Sequence, residues 1–169
     1  MEHLQYPIGK FSIKESYSME EIQSFFYSIE NIPSEIKNYV QNFSEEELNT
    51  PYRPGGWTAK EVIHHLSDSH INSYCRIKLA LTEENPYIKP YNELAWSKLI
   101  DYQSDINLSL ELLDVLHRKW IILLKSLTDT DLQRTFYNPE SGITYTILQS
   151  IAFYSWHGEH HFGHLKLVK

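Results

Sequence analysis

Apolar residues recur three or four positions apart through four separate stretches of this chain, each about 20 residues long. That period admits helices with one buried stripe and little else. The first stretch opens after Ser18, where Glu21 completes a capping box, and carries Ile22, Phe25, Phe26, Ile29, Ile36 and Val40. Pro33 lies inside it and predicts a kink or two abutting helices. The second stretch begins after Thr58, again with an acid three residues on at Glu61, and places Val62, Leu66, Ser69, Ser73, Ile77 and Ala80 on one side. A third, Ser104–Leu127, is marked by Ile106, Leu110, Leu113, Trp120, Leu124 and Leu127; the fourth covers Thr144–Lys166. An all-α four-helix bundle, one domain over residues 1–169, is the economical fold.

The connections refine that expectation. Residues through Tyr17 read as an extended N-terminal arm, and residues 43–57 as a turn-rich link with Pro51, Pro54, Gly55 and Gly56. Antiparallel helices are joined by about 2–8 residues. The stretch from Thr82 to Tyr102, with Pro86, Pro90 and a short helical piece around Asn92–Leu99, is far longer. A crossover of that length lets the second and third helices run parallel, and it is long enough to cover a site. A polar stretch with Asp129, Asp131, Asn138, Pro139 and Gly142 leads into the last helix.

Composition removes several classes of function. The chain carries 22 acidic against 15 basic side chains, a formal charge of -7, and no basic run, so a nucleic-acid partner is not expected. Its single cysteine, Cys75, excludes an intrachain disulfide framework and a thiolate-rich metal site, and reads as buried filler. There is no apolar stretch of spanning length and no signal-peptide core, so no membrane is expected and the cytoplasm is the natural location.

What remains unusual is 9 histidines, most of them on two helices. The last helix holds His157, His160, His161 and His164, two overlapping His-x-x-x-His pairs; such spacing puts two imidazoles one turn apart on one face, where they can share a metal. The second helix supplies His64, His65 and His70. At about 100° per residue, His161 lies roughly 60° and His157 roughly 100° from the centre of the apolar arc, with His164 and His160 farther round. The pair His157/His161 is therefore favoured at a pocket edge, with His160/His164 in reserve. On the second helix His65, about 110° off the apolar arc and sharing a polar stripe with Ser69, Asn72 and Arg76, is favoured over His64 at about 150°, with His64 kept as the alternative. Asn72 is placed to orient a ligand or water, and Arg76 to meet an anionic group on a substrate. His117, inside the apolar stripe of the third helix, reads as a hydrogen-bonded core histidine; Glu159 points away from the pocket and reads as a solvated carboxylate. The order His157-Gly-Glu-His160-His161 lacks the His-Glu-x-x-His arrangement, so no zincin mechanism follows.

Four blocks make the chain recognisable: Tyr6-Pro-Ile-Gly-Lys-Phe11, Pro51-Tyr-Arg-Pro-Gly-Gly-Trp-Thr58, Val62-Ile-His-His-Leu-Ser-Asp-Ser-His70 and Trp156-His-Gly-Glu-His-His-Phe-Gly-His164. Together they resemble the YfiT branch of the DinB-like superfamily over nearly the whole length. The resemblance implies a bundle with parallel second and third helices and a three-histidine metal site, matched here by His65, His157 and His161. It implies one zinc or nickel ion per subunit and a homodimer. Hydrolase and bacillithiol S-transferase activities both occur in that branch, so the implied partner is a small molecule, with bacillithiol and an electrophile in the second case. A metal- or small-molecule-binding bundle without turnover is the alternative.

Overall fold

The computed structural model describes residues 2–169, so Met1, the first residue of the expected arm, lies outside the described residues. In chain order the elements are α1 (Glu2–Gln5), α2 (Met19–Val40), α3 (Glu45–Leu48), α4 (Ala59–Thr82), α5 (Glu93–Trp96), a 3-10 turn at Ile100–Gln103, α6 (Ile106–Lys125), α7 (Asp129–Leu132), β1 (Thr135–Asn138), β2 (Ile143–Thr146) and α8 (Ile147–Lys166). The long helices α2, α4, α6 and α8 form the bundle. Capping boxes start three of them: Ser18 with Glu21, Thr58 with Glu61, and Thr146 with Gln149. Each satisfies two backbone N–H groups that the first turn leaves without partners. No helix among the described residues is long and apolar enough to cross a membrane.

Side-chain pairing gives the helix directions. His64 meets Ser109 and His70 meets His117, so the numbering rises together and α4 runs parallel to α6. His65 packs on His161 while Arg76 reaches Tyr154, so α8 runs antiparallel to α4. The connection that permits the parallel pair carries α5 and the 3-10 turn, and it docks along the β1 edge through Ile88 N–H donating to the Tyr137 carbonyl and Tyr137 N–H to that of Pro86.

Three features depart from the sequence reading. α2 is one continuous helix with Pro33 buried inside it, not two abutting helices. The polar stretch before α8 contains a hairpin in which β1 pairs antiparallel with β2, Thr135 opposite Thr146. Its strands are only four residues long, and their Thr, Phe and Tyr side chains gave no period distinct from a loop. Cys75 is exposed, not buried filler; it falls on the solvent side of α4, between the buried Ser73 and Ile77.

The core is split into two apolar clusters. One gathers Ile29, Ile77, Trp120, Leu124, Ile147 and Ile151. The other gathers Ile36, Val62, Leu66, Leu113, Phe162 and Leu165. Along α4, α6 and α8 the residues between these clusters include His70, His117 and His157, all buried. A layer of imidazoles therefore crosses the bundle between two hydrophobic halves.

Candidate metal centre

His65 on α4 and His157 and His161 on α8 converge at the edge of that layer. One ligating nitrogen from each lies within 4.8 Å of the others, and the residues are 2%, 7% and 8% exposed. His65 Nε2 and His157 Nε2 stand 3.3 Å apart. Donors held about 2.0–2.1 Å from one zinc ion in a tetrahedral array are about 3.3–3.4 Å apart, so this spacing fits a shared ion. The chemistry agrees. His157 Nδ1 is engaged by His70 Nε2 at 3.1 Å, which leaves Nε2 as the ring nitrogen turned toward His65. His65 Nδ1 is buried without any hydrogen-bond partner.

Burial keeps these rings neutral, the state a metal ligand requires. Desolvation, reinforced by the neighbouring His160 and His164, pushes His65 down to about 3. Burial likewise holds His157 and His161 well below the ordinary histidine range, with the nearby imidazoles adding to it. The core ring His117 falls to about 4, again through burial first.

The remaining histidines divide by partner. His64 turns toward α6, with Nδ1 2.7 Å from Ser109 Oγ, and takes no part in the cluster. His160, His161 and His164 form a second grouping with nitrogens within 4.8 Å. His164 is committed elsewhere, however: its Nε2 meets the Gln5 carbonyl at 3.0 Å, its Nδ1 lies 3.3 Å from His161 Nδ1, and Tyr52 stacks on its ring at 3.8 Å. His160 stacks on Trp156 at 4.4 Å. Phase had placed these two rings farthest from the apolar centre, yet they are 7% and 2% exposed. The N-terminal arm covers them: Trp156 Nε1 donates to the Gly9 carbonyl, and Pro7 lies over Gly163. Glu159 is likewise not fully solvated, since Ser28 Oγ donates to it at 2.9 Å.

Gly163 is what lets the arm approach. A Cβ there would sit 2.8 Å from Cγ of the Pro7 ring. Gly163→Ala is therefore expected to lift the arm from α8, at a cost of about 1–3 kcal/mol. Faster hydrogen exchange at residues 5–11 with a lowered unfolding midpoint is the expected result; unchanged exchange there would refute the packing argument.

The cluster opens into a cavity of about 520 Å³ that Arg76, Arg53, Trp57, Ser69 and Tyr91 also line. Trp57 packs edge-on against His65 at 4.5 Å and lies parallel to His161 at 6.3 Å. Among the described residues neither arginine has a carboxylate partner within ion-pair distance; Arg53 Nη1 donates to the Pro54 carbonyl at 3.2 Å, while its Nε is buried without a partner. Arg76 Nη1 donates only to Tyr154 Oη, at 3.4 Å. Asn72 is not among the lining residues; its amide donates to the Asp68 carbonyl on its own helix. Tyr91, Glu93 and Leu94 bring the long crossover to the cavity wall. Sequence reasoning missed Arg53, whose only signal was its place in the turn-rich link.

Comparison with known proteins agrees with this architecture. A protein of Oceanobacillus iheyensis is 48% identical over 161 residues, 95% of this chain and 93% of its own length. One of Bacillus cereus is 46% identical over 169 residues, 100% of this chain and 97% of its own. Both carry the name "Putative metal-dependent hydrolase". The solved structure of YfiT from Bacillus subtilis, described as a "probable metal-dependent hydrolase with an unusual four-helix bundle topology", matches with a TM-score of 0.95 and 44% identity over 98% of this chain and 95% of that one. A family model of the DinB superfamily matches residues 29–165, which takes in all four bundle helices from Ile29 onward and all three converging histidines. The chain therefore belongs to the DinB superfamily.

Proposed function

We infer that this protein is a metal-dependent hydrolase of a small anionic molecule, with one divalent ion, zinc or nickel, held by His65, His157 and His161. The observation that carries this reading is the pair of facing Nε2 atoms 3.3 Å apart, in a buried cluster of neutral imidazoles at the floor of a cavity. In the neutral rings one of these nitrogens can donate to the other, and a cation that takes the place of that shared proton would be held by both lone pairs. The ion, when bound, would supply Lewis-acid polarisation and lower the pKa of water. Three imidazoles suit zinc and nickel equally.

The chain's own residues do the rest. Arg76 and Arg53, in the cavity wall, would bind a carboxylate or similar anionic group and orient the substrate. Trp57 fixes the ring planes of His65 and His161 by packing on them. Tyr91 and Leu94, from the crossover, narrow the cavity and limit the water around the reacting bond.

The test begins with protein purified without a histidine tag, so that tag-bound metal is not counted. Elemental analysis is expected to give one ion per chain, and an ester and amide panel to show metal-dependent hydrolysis with no added thiol. Conjugate formation that requires bacillithiol and an electrophile would assign the same centre to thiol transfer, and stoichiometric metal with no turnover in either panel would make it a binder. No bound metal would overturn the reading.

A further inference from the structure

Behind the three-histidine cluster the buried imidazoles form a directed chain, and its direction is set by a proline. Pro33 has no N–H, so the carbonyl of Ile29, four residues earlier in α2, has no helical donor. His117 Nδ1 takes that place. A carbonyl only accepts, so in the neutral ring the proton is on Nδ1, and His117 Nε2 carries a lone pair. That Nε2 lies 2.7 Å from His70 Nδ1, which must then donate. His70 Nε2 is left to accept from His157 Nδ1 at 3.1 Å. The end of the chain is a lone pair on His157 Nε2, the atom that faces His65.

A shorter chain treats His161 the same way. The Gln5 carbonyl accepts from His164 Nε2 at 3.0 Å, so His164 Nδ1 accepts from His161 Nδ1 at 3.3 Å. His161 is left with its lone pair on Nε2. Both chains end on backbone carbonyls, and neither leaves a choice of tautomer along the way.

We propose that His117 and His70, anchored on the carbonyl that Pro33 leaves free, are positioning residues that hold His157 as its Nδ1–H tautomer, and that His164, anchored on Gln5, does the same for His161. The lone pairs then face the metal position before an ion arrives. This rests on the three-histidine reading of the site.

Polarity can be separated from packing at His117, which touches no candidate ligand. His117→Phe fills the space but offers no acceptor. His70 would then have an unpaired buried Nδ1–H, a cost relieved by moving its proton to Nε2. That proton would point at His157 Nδ1 and drive the His157 proton onto Nε2, where it blocks the metal. His117→Gln places an amide oxygen near the position of Nε2 and keeps the acceptor.

The experiment combines nitrogen-resolved NMR of the histidine rings in the metal-free full chain with zinc affinity by chelator competition. Expected in the wild type are Nδ1–H tautomers at His117, His70, His157 and His161. His117→Phe is expected to bind zinc about 10–100-fold more weakly, the range for loss of an outer partner of a ligand, with His117→Gln close to wild type. Equal losses in both variants, or none in either, would overturn the proposal, as would a wild-type His157 protonated on Nε2. Should His117→Phe not fold, the wild-type tautomers alone decide. Should the chain bind no zinc while the tautomers stand as described, the site assignment fails and the relay survives.

Discussion

Replacing His65 by alanine is expected to abolish stoichiometric metal binding and metal-dependent turnover while leaving the helical fold in place. His65 is the one ring of the three supplied by α4, so without it His157 and His161 on α8 remain a two-nitrogen site. The loss should exceed the about 10–100-fold typical of removing an outer partner, because a donor itself is gone. The metal-free fold is expected to persist with lowered stability, because removing the ring takes away the 3.3 Å partner of His157 Nε2 and the packing of Trp57 while leaving the four helices their apolar clusters. Thermal unfolding with and without zinc reads both effects. Wild type should gain about 2.7 kcal/mol at zinc 100-fold above its dissociation constant, and the variant nothing. Asn72→Ala is the control: its amide serves only the Asp68 carbonyl, outside the cavity, so metal binding and turnover should stay at wild-type levels. An equal zinc-induced shift in His65→Ala would remove His65 from the site.

Much of this architecture was legible because the bundle obeys local rules. The Ser18–Glu21 and Thr58–Glu61 boxes mark two helix starts within a residue, and the 3.6-residue stripes mark the buried faces of α2 and α6. His65, His157 and His161 stand out through spacing and phase, since helix geometry alone puts 157 and 161 one turn apart. Where reading by phase broke down, a neighbour outside the helix was responsible. α8 buries 15 of its 20 residues, because the arm closes the face a bundle helix normally leaves to solvent. His160 and His164 are buried there for a reason that α8 itself does not encode. The hairpin escaped notice because four-residue strands carry too few alternations to count.

The relay shows a different kind of limit. His117 reads correctly as a core histidine, His70 sits five residues from His65 and so about 140° away around the helix, and Pro33 reads as a helix breaker. Each is unremarkable alone. Their connection exists only in three dimensions, where α2, α4, α6 and α8 meet between the two apolar clusters. What the sequence does carry is the oddity of a proline and two histidines in otherwise apolar stripes, and buried polar groups of that kind need partners.

That buried layer makes the metal-free protein acid-sensitive in a window set by histidine. His65, His70, His117, His157 and His161 all titrate below the ordinary histidine value of 6.5, with His117 near 4 and His65 near 3, burial being the main cause in each. Their contribution to stability is fully present above 6.5. As the pH falls below 6.5 the unfolded chain takes up protons that the folded chain refuses, and that contribution is progressively lost down to the folded values. Each such ring lowers stability by about 1.4 kcal/mol per pH unit. Several such rings steepen the loss together, against a total of about 5–15 kcal/mol for a domain. The metal-free bundle is therefore expected to lose stability increasingly steeply as the pH falls below about 6.5. Carboxylates of the capping boxes are held below their ordinary value, Glu21 by the Lys14 ammonium and the Ser18 N–H and Glu47 by the Ser44 N–H, so they weaken the fold only at lower pH. Urea titrations at pH 7.5, 6.5 and 5.5 with a chelator present measure the slope. Zinc should shift the acid transition downward, because it competes with protons for the same lone pairs. Stability unchanged between pH 7.5 and 5.5 would mean that these rings accept protons in the folded state, and an imidazole layer that charges freely could neither hold the tautomers nor present the ligands described above.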